Sequence, residues 1–134
     1  MITKNELGRI GMLKRELEID RRRLYELKNS SLIASARMTG AHCKTGPGDP
    51  TALIAERASQ LEAAIALKAE CCLELLLKLQ NFINSIDDSE QRVVFYLKYV
   101  KCMSWTRIAL ELGMCDEQLA RKHHNRYLKK RGIV

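Results

Sequence analysis

From Pro50 to about Ile86 one periodicity dominates the chain and limits what it can fold into. Ile54, Ala58, Leu61, Ile65, Lys68, Cys72, Leu75, Leu79, Phe82 and Ile86 follow one another at spacings of four and three, and nine of these ten are apolar. Those spacings place the side chains along one stripe of a helix, the seam of a coiled coil. At a rise of roughly 1.5 Å per residue, about 36 residues make a rod of about 54 Å. A seam that long needs a partner of similar length: the first helix of the chain, a second copy, or both. Lys68 interrupts it, at a kind of position where a polar residue can fix register. Asp49 and Pro50 supply a start signal, a capping carboxylate followed by a proline in the first turn.

A second helical pattern precedes this one, from about Lys4 to Asn29. Leu7, Ile10, Leu13, Leu17, Leu24 and Leu27 share its stripe, which Asp20 interrupts before the basic run Arg21, Arg22 and Arg23. Between the two patterns, residues 30–50 read as a flexible linker that ends in Gly46, Pro47, Gly48, Asp49 and Pro50. Near Asp87 and Asp88 the long pattern stops. Asp88 or Ser89 can cap a new helix carrying Val93, Val94, Leu97 and Val100 on its apolar side. The expected architecture is all-α. Residues 1–87 form long helices arranged as a helical hairpin or coiled coil, and 88–134 form a compact helical unit.

Composition narrows the function classes. The chain has 134 residues and a net charge of +7, and only 5% of it is aromatic, so no large aromatic-filled core is expected. Positive charge gathers at the C-terminal end, where 10 Lys and Arg stand against 5 Asp and Glu from Asp88 to Val134. A basic patch there favours polyanions, nucleic acid first. No apolar run is long enough to span a membrane, and the first residues do not read as a secretory signal. Cys43, Cys71, Cys72, Cys102 and Cys115 form no C-x-x-C pair, and they fit reduced thiols in a cytosol. Zinc is not expected, since His123 and His124 lack cysteines at finger spacing. Nothing pairs a nucleophile with a base or cradles a phosphate in a glycine loop, so neither an enzyme nor a cofactor is expected.

The stretch "SWTRIALELGMCDEQLARKHH" meets the demands of a helix-turn-helix. Ala109 is small where a second helix must cross closely, and Gly113 follows at the turn, free to adopt positive φ. Ser104 caps the first helix. Cys115 stands where a capping Ser or Thr would be expected at the second, and Asp116 can take over. Ile108, Leu112, Met114, Leu119 and Lys122 are expected to face inward, Lys122 through its alkyl stem. The outward face then offers Glu117, Gln118, Arg121, His124, Asn125 and Leu128. Arg, Gln and Asn are the types that read guanine and adenine edges. Arg126, Lys129, Lys130 and Arg131 suit phosphates. Trp105 is expected in the core, and the two histidines as one packed and one exposed.

The segment "SEQRVVFYLKYVKCMSWTRIALELGMCDEQLARKHHNRYLKK", about a third of the chain, resembles the promoter-reading fourth region of bacterial sigma factors. It is most similar to the phage and prophage regulators of the RinA and ArpU type. The features that carry the likeness are Arg92, Tyr96 and Tyr99, Ser104 and Trp105, Ile108 and Ala109, then Leu112 and Gly113. The resemblance implies a transcription regulator in the cytosol of a bacterial host that binds double-stranded DNA as a homo-oligomer. The contact set is Ser104, Arg107, Gln118, Arg121, Lys122, His124, Asn125, Lys129 and Lys130. It also implies two alternatives, a packaging subunit like the small terminases and a unit that grips RNA polymerase without reading DNA.

Overall fold

A computed structural model of the chain describes residues 1–37 and 50–133. The described residues are helical, in the order α1 (Lys4–Arg37), α2 (Pro50–Asn84), α3 (Ser89–Phe95), a π-helical turn (Tyr96–Val100), α4 (Trp105–Glu111) and α5 (Glu117–Lys130). None of these helices is long and apolar enough to cross a membrane. The chain groups into two compact units, Lys14–Cys71 and Met1–Leu13 with Cys72–Val134.

In the first unit the later part of α1 pairs with the early part of α2, and the two polar interruptions of the apolar stripes answer each other. Asp20 is buried, and the Lys68 ammonium donates to its carboxylate at 2.6 Å while also facing Glu16 at 3.5 Å. A carboxylate in such a place is tolerable because a cation meets it. The contact with Asp20 holds the Lys68 ammonium above its ordinary pKa. Lys28 and Glu62 form a further pair at 2.6 Å. Lys68 of the α2 seam is thus answered within the chain, by α1.

α1 runs eight residues past the Asn29 end expected for it, since 30–37 are helical where a linker was expected. The serine-rich composition misled there. Ser30 donates its hydroxyl back to the Glu26 carbonyl at 2.9 Å, a bond that serine makes inside a helix. The rest of the expected linker, with the Asp49 cap, lies outside the described residues.

The second unit holds the start of α1, the end of α2, and everything after it. Thr3 and Glu6 form a capping box: the Glu6 amide donates to the Thr3 hydroxyl at 3.2 Å, and the Thr3 amide donates to the Glu6 carboxylate at 2.8 Å. With Lys78 also donating to it at 3.1 Å, the Glu6 carboxyl is held down at about 2, chiefly by the Thr3 amide. Leu7, Ile10, Leu75, Leu79, Phe82 and Ile86 are buried, as the spacing predicts, and Ile83 is buried beside them. Asp88 caps α3 by accepting from the Glu90 amide at 3.1 Å. Arg92 clamps the link before it, donating to the Ile86 carbonyl and to the Ser89 hydroxyl, each at 2.8 Å.

No large aromatic-filled core was expected from the composition, yet a small aromatic cluster forms in this unit. Four of the chain's seven aromatic residues, Phe82, Tyr99, Tyr127 and Phe95 itself, gather here around Phe95, which has no exposed surface. Its ring lies 5.4 Å from Phe82, 5.8 Å from Tyr99, 5.5 Å from Tyr127 and 4.8 Å from the His124 imidazole. A low overall content does not prevent a small core from being aromatic when the few rings converge on it.

Candidate nucleic-acid interface

The geometry of α4 and α5 follows from caps and small residues. Ser104 accepts from the Arg107 amide at 3.3 Å and opens α4. Ile108 and Ala109 are buried, and Val94, Ile108 and Ala120 form the centre of a cluster that Leu97, Met103, Trp105, Leu112 and Met114 cover. Ala109 and Ala120 let α4 and α5 approach closely. α4 ends in a Schellman motif: the Met114 amide donates to the Ala109 carbonyl at 2.8 Å and the Gly113 amide to the Leu110 carbonyl at 3.2 Å. Such a motif needs a left-handed residue, and Gly113 sits at φ +64°. Asp116 then caps α5 by accepting from the Gln118 amide at 3.1 Å, leaving Cys115 exposed and outside the cap. Thr106 donates to the Glu117 carboxylate at 2.6 Å, which ties the two helices across the turn. Glu117 is therefore turned toward α4 and away from the outer face of α5.

On α5 the inward stripe is Ala120, His124 and Leu128, all buried, with His123 and Tyr127 half-buried beside it. This corrects the expected register. Leu119 and Lys122 were expected to point inward and are exposed. His124 and Leu128 were expected on the outer face and are buried, so His124 leaves the DNA-contact set. The expected pair of one packed and one exposed histidine becomes one buried, His124, and one half-buried, His123. The outer stripe that remains is Gln118, Lys122, Asn125 and Lys129, spaced by four, three and four residues and all exposed. Arg121 and Arg126 flank it, and Lys130 lies further round at the C-terminal end. Ser104 and Arg107 are exposed at the start of α4. Arg131 is taken out of the phosphate set, since it donates to the Ser85 carbonyl and the Tyr127 hydroxyl, each at 2.9 Å.

His124 is held at both ring nitrogens. Asn125 Oδ1 lies 3.0 Å from Nδ1, and the Tyr99 hydroxyl lies 2.8 Å from Nε2. An amide oxygen only accepts, so Nδ1 carries the hydrogen and Nε2 accepts from Tyr99. Burial pushes the imidazole below its ordinary pKa, against the bond to Asn125 and with the help of Lys98 and Lys4. The same burial lifts the Tyr99 phenol to about 12. Nothing in the residue types marks a histidine of a basic helix as an anchor; its neighbour Ala120, four residues earlier on the α4 side, was the available signal. Among the described residues no cluster of His, Cys, Asp and Glu could hold a metal ion. No protein-family model, curated protein or solved structure matches the chain.

Proposed function

We propose that this chain is a sequence-specific DNA-binding transcription regulator of the phage or prophage type, working in the host cytosol. One observation carries the reading: the Gly113 turn leaves α5 anchored by Ala120, His124 and Leu128 and exposed along Gln118, Lys122, Asn125 and Lys129. An α-helix fits the major groove of B-DNA, and a helix with one anchored and one polar face is suited to lie there. In this reading Gln118 meets a base edge, adenine by preference, and Asn125, whose Oδ1 is bonded to His124, meets a base acceptor through its amide N–H groups. Lys122, Lys129, Arg121, Arg126 and Lys130 neutralise phosphates, with Ser104 and Arg107 on the flanking backbone. Self-association uses the long helices, and Leu73 and Leu77 on α2, each 59% exposed, support it.

Duplexes selected from a random pool should share a sequence, and their binding should weaken steeply as salt rises. Lys122→Ala and Lys129→Ala should each lower the salt slope by about one while weakening all duplexes alike. Asn125→Ala should cost about 1–3 kcal/mol at one base position and relax the preference there. A pool without enrichment, or slopes that neither lysine changes, would sink the reading. One observation favours a second reading. Leu110 on α4 is 76% exposed, apolar surface suited to a protein such as RNA polymerase.

A further inference from the structure

We propose that His124 is a proton-operated latch on α5: neutral, it fastens the helix to the π-helical turn through Tyr99, and protonated, it lets the helix go. The latch stands on geometry. His124 is 4% exposed, has both nitrogens bonded, and is enclosed by Phe95, Tyr99 and Trp105 at ring distances of 4.8, 5.6 and 5.0 Å. Of the groups around it, only the Asn125 amide oxygen favours the charged ring; burial, Lys98 and Lys4 oppose it. From the π-helical turn come Tyr99 and Lys98, from the start of α1 Lys4, from α4 Trp105, from α3 Phe95 and from α5 Asn125. The charges among these are the cations Lys98 and Lys4. An imidazolium here would have two N–H donors, and Nε2–H would meet the Tyr99 hydroxyl that now donates to it. That hydroxyl would have to reverse, and the new charge would sit buried beside two cations.

The sign follows from linkage. The folded-state pKa is lowered, so below about 6.5 the released state binds the proton first. Attachment of α5 is complete above that pH and is lost as pH falls toward the folded value, by up to about tenfold in the opening equilibrium per pH unit. The consequence for DNA, and only that consequence, rests on the proposed function: acid should weaken duplex binding although it adds positive charge.

Trp105 is the chain's single tryptophan and lies edge-on to His124, so its emission reports the latch directly. On lowering the pH from about 7.5 to about 5, across the range where histidine titrates, the emission should change and amide exchange along α5 should quicken. His124→Gln, which can still accept from Tyr99, should abolish both effects. In the otherwise unaltered chain, Tyr99→Phe removes the donor to neutral Nε2 and should move the imidazole's NMR titration midpoint to higher pH. The same acid transition in His124→Gln, unchanged α5 exchange across the imidazole titration, or a midpoint that Tyr99→Phe leaves in place would each overturn the latch. A latch that opens in a protein binding no duplex at any pH upholds the latch and refutes the DNA reading.

Discussion

Phe95→Ala should remove about 3–5 kcal/mol of stability, measured by urea or thermal unfolding. The side chain has no exposed surface and meets rings from α2, the π-helical turn and α5: Phe82, Tyr99, His124 and Tyr127. Burial of an aromatic ring contributes roughly 1.5–3 kcal/mol, and each well-placed aromatic pair adds about 0.5–1.5 kcal/mol. Truncation also leaves a cavity that rigid rings cannot collapse into. Against a typical total of about 5–15 kcal/mol, the loss is a large part of what holds the second unit together. An unfolding midpoint within a degree or two of the unaltered chain would mean that the aromatic cluster is not the core described.

Gly113→Val should cost about 2 kcal/mol, and Gly113→Ala somewhat less. For the alanine change the cost is backbone strain, since a Cβ at this position meets nothing within 4 Å. What it opposes is the left-handed conformation at φ +64°, hardest for a β-branched residue. Gly132, at φ +70°, provides the internal comparison. It ends α5 in a second Schellman motif, in which the Ile133 amide donates to the Leu128 carbonyl at 2.9 Å and Cβ space is again open. Gly132→Ala should therefore destabilise about as much as Gly113→Ala. If the two differ several-fold, or if Gly113→Val is neutral in thermal unfolding, the turn does not have the geometry that aims α5.

The sequence discloses these elements unevenly, for physical reasons. Of the ten seam positions from Ile54 to Ile86, six are buried and four half-buried, because burial along a long helix is written in its apolar spacing. Spacing does not name the partner, however, and only the structure shows Lys68 answering Asp20 within one chain. The caps at Asp88, Ser104 and Asp116 and the turn at Gly113 are legible because each rests on one residue's local chemistry. The face of α5 is not, since its inward positions include a small residue and a histidine. Carrying the apolar register of α4 across the turn put Leu119 and Lys122 inside, where Ala120 and His124 belong. The π-helical turn that places Tyr99 over His124 has no signature in residue type.

Whether the outer stripe of α5 reads DNA is tested most directly by mapping amide chemical shifts as a duplex selected from a random pool is added. The account predicts that the largest changes fall on Gln118, Arg121, Lys122, Asn125 and Lys129, and at the start of α4 near Ser104 and Arg107. Changes confined to α1 and α2, or spread evenly over the basic residues with no difference between the selected duplex and a scrambled one, would contradict it.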